Sequence, residues 1–321
     1  MGEHEDWAAL LLGQPPAADV ADPEPVGAEE ARRRLALLDV PEVDRADVLA
    51  TLPTPSGTPE LWAALVRCHQ VLHADAVPSR AVVWPNAPAS LGAAGRYFYV
   101  HLYLLALPGL LARHRALRVP YDVTVATARD VGAKVASYRE YYGVGGLDRQ
   151  TWLVRHFRAT LFRLGRLQFD RAALAVEQYH AEAGGTGPKQ GTPVLEVHIP
   201  GDGPMTPDLC DESFRLARPF FAEHFPDERY DHATCRSWLL DRQLADVLPA
   251  DSNIVRFQRR FELFGPEPAC DSDVLEFVFH LPPGTGDLAR LPQDTTLQRA
   301  IVTHLRAGRH WRQGCGWVAL A

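Results

Sequence analysis

The chain has 321 residues, 46% of them hydrophobic and 23% charged, with a formal net charge of -7. That is ordinary globular composition, long enough for two domains. The acidic balance argues against a nucleic-acid binder, which needs a basic face to neutralise phosphates.

The opening "MGEHEDWAALLLGQPP" is acidic where a secretory leader is basic, and its apolar run is short. Residues 13–26, "GQPPAADVADPEPV", are Pro-rich and predict an irregular segment. Helices follow over 27–51, interrupted at Pro41. "GTPELWAALVRCHQVLHAD" has a marked helix start, with Thr58 at the N-cap and Pro59 in the first turn. Leu61, Leu65, Cys68 and Leu72 recur at helical spacing. A long apolar helix is predicted over about 91–117, with a break or kink at Pro108–Gly109. It falls short of an unbroken membrane span. "TVATARDVGAKVASYREYYG" predicts one more helix, ended by Gly143.

After "YGVGGLD" the texture changes to mixed α and β, so the domain boundary is placed at 145/146. Residues 1–145 form a mostly helical domain, and 146–321 a domain built on a mixed sheet. "WLVRHFRATLFRLGRLQFDRAAL" predicts short strands with Gly165 at a turn. "GGTGPKQGTP" predicts a loop, and "VLEVHI" a short strand. "TPDLCDESFRLARPFFAEHF" predicts a helix with Thr206 as N-cap and Pro207 at its first position. "TCRSWLL" predicts a strand, "DRQLADVLP" a short helix, and "NIVRFQRRFELFG" and "DVLEFVFH" two further strands. A helix near 293–307 and a last apolar piece, "GWVALA", close the chain.

Several chemistries find no support. "GVGGLD" lacks the third glycine of a dinucleotide fingerprint, "GGTGPKQGT" lacks the Gly-Lys-Ser/Thr order of a P-loop, and no GxSxG nucleophile elbow occurs. Cys68, Cys210, Cys235, Cys270 and Cys315 show no zinc spacing and fit free thiols in a reducing cytoplasm.

The segment "VLEVHIPGDGPMTPDLCDESF" is the richest. A strand leading through a Gly/Pro turn into a helix aims backbone N–H groups past the sheet, where the helix dipole favours an anion. Gly203, Met205 and Thr206 are the candidate donors to a phosphate. By period two, Val194, Glu196 and His198 share one face of the strand. A neutral imidazole there can accept a proton near neutral pH. A plain strand–turn–helix connection with a structural histidine has the same pattern. Arginines recur in "RHFRATLFRLGR" and "RFQRRF", as a phosphate clamp or as a solvated edge.

"EVHIPGDGPMTPDLCDESFRLARPFFAEHFP", "CRSWLLDRQLADVLPADSNIVRFQRRFEL" and "FRLGRLQF" resemble the actinobacterial two-domain acyltransferases, which include the teicoplanin-type glycopeptide N-acyltransferases. The resemblance implies an α+β chain, a helical N-terminal domain followed by a GNAT-like mixed-sheet acyltransferase domain. It implies an acyl-CoA donor, an amine acceptor such as an antibiotic aminosugar, and no metal. His198 becomes the candidate general base. Arg166, with Gly203, Met205 and Thr206, is the candidate cofactor contact. Phe162, standing where the glycopeptide enzymes carry a tryptophan, and Glu196 are the candidate substrate contacts. The usual pyrophosphate signature, Arg/Gln-x-x-Gly-x-Gly/Ala, is replaced by "GDGPMTP". The apolar "RYFYVHLYLLAL" suits either a wall for a fatty chain or plain helix core. A thioester hydrolase and a non-catalytic acyl-CoA sensor are the rival readings.

Overall fold

The structure is a computed structural model. It describes residues 3–15, 20–74, 82–175, 187–265, 267–282 and 285–320. Residues 16–19 of the Pro-rich segment and 184–186 of the expected loop lie outside these. The chain divides into two compact units, Met1–Phe162 and Arg163–Ala321.

The first unit is helical: α1 (Glu3–Leu12), α2 (Ala28–Leu37), α3 (Glu42–Ala50), α4 (Pro59–His73), α5 (Gly92–Arg96), α6 (Phe98–Ala116), α7 (Tyr121–Ala128), α8 (Asp130–Tyr142) and α9 (Gln150–Phe157). Its centre is α6. Every residue from Phe98 to Leu107 is buried, so this helix is apolar all round because neighbours cover it all round. No helix among the described residues is long and apolar enough to cross a membrane. Leu65, Cys68 and Leu72 of α4 join the same core.

Of the break or kink expected at Pro108, a break is ruled out, since α6 runs on through it. A proline leaves the carbonyl four residues back without its helical donor, and Arg34 Nη1 supplies one to Leu104 O at 3.2 Å. Gly109 then lets the His73 ring approach; a Cβ there would stand 2.6 Å from its Cε1. The helix expected over "TVATARDVGAKVASYREYYG" is two, parted at Arg129, and Gly143 ends the second in the left-handed region at φ 71°. Residues 152–157, expected within a run of short strands, belong to helix α9 and bury Leu153, Val154 and Phe157 along one face.

A six-stranded sheet has the order β1-β2-β3-β4-β6-β5: β1 (Leu161–Leu164), β2 (Leu167–Ala173), β3 (Pro193–His198), β4 (His232–Ser237), β5 (Glu262–Phe264) and β6 (Gly314–Ala319). A two-residue turn joins β1 to β2. Gly165 takes φ 66° at its first central position, which glycine tolerates and other residues resist. β2 and β3 are antiparallel, β3 and β4 parallel, and β4 and β6 antiparallel. Helix α10 (Pro207–His224) lies against one face, where Phe169 of β2 meets Phe214 at 5.7 Å between ring centroids.

The rest of this unit comprises α11 (Leu244–Val247), α12 (Asn253–Gln258), α13 (Asp271–Phe279) and α14 (Thr296–Arg306). Two of these correct the sequence reading. "NIVRFQRRFELFG" is not one strand: Ser252 caps a helix by accepting from Val255 N, and only Glu262–Phe264 is extended. "DVLEFVFH" is helix α13, whose first turn carries Asp271 and Asp273 against the positive end of the helix dipole. Val274 and Phe279 of α13 pack with Ile301 and Val302 of α14 and with Trp311.

Candidate active site

The site is built where β3 leaves the sheet. β3 and β4 are in register only at Leu195↔Ala233 and Glu196↔Thr234. Beyond that point β3 continues to His198 on the side of β2, opposite Gln168, while β4 continues to Ser237 on the side of β6. The facing edges of Val197–His198 and Cys235–Ser237 therefore share no ladder. Two strands parted in this way expose backbone donors and acceptors that an extended amide-bearing ligand can join as an added strand.

One face of the strands at this fork is polar. Register places Gln168 and Asp170 of β2, Glu196 and His198 of β3, and Thr234 of β4 side by side. Gln168, Asp170 and Glu196 are only 2–3% exposed, and Thr234 is fully buried. The His198 side chain is 26% exposed and Glu196's only 4%, with His198 Nε2 standing 3.9 Å from Glu196 Oε2. Asp170, Glu196 and His198 each direct one ligand-type atom into a space where these atoms lie within 4.8 Å of one another. The other face of the same strands is apolar, through Phe169, Leu195 and Val197. The imidazole thus sits at the rim of the sheet with two carboxylates behind it.

The turn after β3 is held from within. Arg166 is buried, and its guanidinium donates to Pro200 O (2.5 Å), Gly203 O (2.7 Å) and Pro204 O (2.9 Å). Burial lowers its pKa. Its backbone N–H donates to Ser213 Oγ of α10 at 2.9 Å, which ties the β1–β2 turn to that helix. Asp202 pairs with Arg163 across the turn. Burial acts to raise the Asp202 pKa, but the Arg163 and Arg166 guanidiniums hold its carboxyl below the usual range.

Residues 201–204 are exposed. With their carbonyls drawn toward Arg166, they lead into α10, an 18-residue helix that starts as expected at Thr206 and Pro207. The Thr206 side chain makes no capping bond. Arg260 reaches the same end of the helix, donating to Asp211 Oδ1 (2.6 Å) and Pro207 O (3.0 Å). The turn and the N-terminus of this long helix thus lie beside the Arg163 and Arg260 guanidiniums, each paired with a carboxylate, Asp202 and Asp211.

The structure therefore brings together His198, Glu196, Gly203, Met205, Thr206 and Arg166 around one strand–turn–helix connection. Arg166 is engaged with carbonyls. Glu196 is buried beside His198. Phe162 belongs to the first unit, is fully buried, and packs its ring on that of His114 at 5.1 Å. Asp170 and Thr234 were missed by sequence reasoning. The alternation of "LQFDRAA" marks Asp170 as sharing a face with Gln168, but only strand register brings it to Glu196.

A helical unit followed by a mixed sheet with a fork between parallel strands is the architecture that the resemblance to the two-domain acyltransferases implied. Comparison agrees along both halves. Residues 29–159 match the N-acyltransferase N-terminal domain and residues 161–318 the GNAT-like C-terminal domain. No curated protein matches. Among solved structures, an acyltransferase in complex with CoA and 10C-teicoplanin is 35% identical over 100% of both chains, with a TM-score of 0.85. An acyltransferase with decanoyl-CoA and teicoplanin is 36% identical over 100% of both chains, at 0.84. A Trp→Ala acyltransferase variant with octanoyl-CoA is 35% identical over 99% of this chain and 100% of that one, at 0.84. The chain belongs to this family of two-domain, acyl-CoA-dependent acyltransferases with a GNAT-like C-terminal domain.

Proposed function

We propose that this enzyme moves a medium- or long-chain fatty acyl group from acyl-CoA to an amine, with an aminosugar of a glycopeptide antibiotic as the acceptor and His198 as the general base. The observation that carries the reading is the partly exposed imidazole at the fork between β3 and β4, one turn away from the N-terminus of a long helix. The complexes of similar enzymes with decanoyl-CoA, octanoyl-CoA and teicoplanin support the donor and acceptor classes.

In this mechanism the pantetheine arm lies along the open strand edges and adds amide hydrogen bonds to them. The CoA phosphates rest on the turn at Gly203–Thr206, whose shape Arg166 maintains, with Arg163 and Arg260 beside it. His198 takes a proton from the acceptor nitrogen, which attacks the thioester carbonyl. The C–N bond forms, the C–S bond breaks, and CoA leaves as a thiolate that is protonated to the thiol. A backbone N–H at the fork steadies the oxyanion. Holding amine and thioester together accounts for up to roughly 7–11 kcal/mol of barrier lowering in favourable cases, and base catalysis for about 100- to 10,000-fold in rate.

The test is CoA release with decanoyl-CoA, with and without a glycopeptide that bears a free aminosugar amine, and mass spectrometry of the glycopeptide. Transfer requires amine-dependent release and a product heavier by one decanoyl group. Release independent of the amine would mark a hydrolase, and tight binding without release a sensor. Acetyl-CoA competing as well as decanoyl-CoA would remove the fatty-chain specificity.

A further inference from the structure

We propose that Asp170 is a positioning residue for acyl transfer: with Glu196 it forms a buried carboxylate pair that orients the His198 imidazole and balances the charge it gains. The inference rests on the reading of His198 as the base.

Asp170 and Glu196 are directly opposite across the β2–β3 ladder, and each is only 2–3% exposed. Like charges facing each other across a ladder repel. Removing carboxylates from water costs several kcal/mol per ion. The fold has a cheaper arrangement available, since the opposite face of these same strands carries Phe169, Leu195 and Val197. Polar groups held where apolar ones would be more stable are a mark of function when they adjoin a reactive group. Here the adjoining group is a partly exposed imidazole, within 4.8 Å of both carboxylates. Gln168 opposite His198 and Thr234 opposite Glu196 complete the floor with groups that do not titrate in the working range.

The chemistry follows from the charge change. The proton leaves the acceptor nitrogen for the imidazole and passes from there to the departing thiolate, and none passes to Asp170. The imidazolium forms beside carboxyl groups whose positions the paired strands already fix, so little reorganisation is needed during the reaction. His198 Nε2 stands 3.9 Å from Glu196 Oε2, and Asp170 acts beside that pair, so its effect is expected to be smaller than the roughly 10,000-fold seen where a carboxylate is the sole partner of its histidine.

The experiment compares wild type with Asp170→Asn, His198→Gln and the double variant, using decanoyl-CoA and a free-amine glycopeptide. For Asp170→Asn, kcat is expected to fall about 10- to 100-fold, while the KM for decanoyl-CoA and the calorimetric Kd for CoA stay within about twofold. The double variant is expected to be no slower than His198→Gln alone, because residues that act as a unit are not additive. Asp170→Ser, which leaves room for a water, carries the same expectation if the amide variant does not fold. Wild-type kcat in Asp170→Asn, additive losses in the double variant, or a loss matched by weaker CoA binding each overturn the proposal. So does loss of wild-type activity in EDTA that a divalent ion restores, since the same three side chains would then be holding a cation. An inactive His198→Gln beside a fully active Asp170→Asn removes only this inference. An active His198→Gln removes the base reading itself.

Discussion

Replacing Arg166 by alanine probes the turn after β3 through the side chain that holds it. The side chain makes three hydrogen bonds to carbonyls of one turn, at 2.5, 2.7 and 2.9 Å, from a position 7% exposed. Hydrogen bonds to a charged partner are each worth about 1.5–3 kcal/mol. Three of them cannot simply be added, because Gly203 and Pro204 are exposed and their carbonyls can turn to water once the guanidinium is gone, whereas Pro200 is buried. What is lost is the fixed shape of the turn. The phosphates must then order the turn as they bind, at a cost of about 1.4–2.8 kcal/mol, which corresponds to roughly 10- to 100-fold in Kd. Isothermal titration of CoA into Arg166→Ala should show that weakening. The β1–β2 turn itself should survive, because its link to Ser213 Oγ runs through the Arg166 backbone N–H. Arg166→Lys should fall between, keeping the charge but losing the forked geometry. A folded Arg166→Ala that binds CoA within twofold of wild type would refute the reasoning and move the phosphates away from this turn.

Two further outcomes concern stability and assay design. Asp130 is buried in the helical unit, 3.2 Å from His156 Nε2, and its Oδ2 accepts from Trp152 Nε1 at 3.0 Å. Burial works to raise its pKa, yet Lys134 and His156 hold the carboxyl well below the usual range. A depressed folded-state pKa contributes stability that is present above the unfolded value near ~4 and is lost as pH falls through the folded one. Asp130→Asn should therefore lower stability by about 3–5 kcal/mol at pH 7, and flatten the acid limb of a Tm-against-pH curve. An unchanged curve would show that the pair is inert. All five cysteines are buried, and burial raises their thiol pKa values, to about 12 for Cys270 and about 11 for Cys315. Thiolate, the reactive form, is then scarce at pH 8. A disulfide reagent should label native enzyme slowly and so report released CoA cleanly; a fast burst from the enzyme alone would contradict this.

The elements that position the site could be read from sequence where local chemistry is strong. Thr206–Pro207 marks the start of α10, Gly165 its turn, and the alternation of "VLEVHI" the face of His198. The misread elements are those where two periods compete over few residues. Asn253–Gln258 is too short for a helical period to outweigh the alternation of "RFQRRF". Asp271–Phe279 is rich in residues that favour strands, and only its acidic first turn pointed to a helix. Trp152–Phe157 looked extended for the same reason of length, although its buried Leu153, Val154 and Phe157 follow a helical face. Sequence alone left a break and a kink open at Pro108, because the donor that serves its freed carbonyl, Arg34, lies 70 residues away. The same limit hid Asp170. Its place beside Glu196 is a property of strand pairing, and pairing is not local.

Single-turnover kinetics of His198→Gln at saturating decanoyl-CoA and glycopeptide bear on the whole scheme at once. Transfer should slow by at least about 100-fold, with the calorimetric Kd for CoA unchanged. Transfer at the wild-type rate would contradict it, and would leave the imidazole at the fork a structural group.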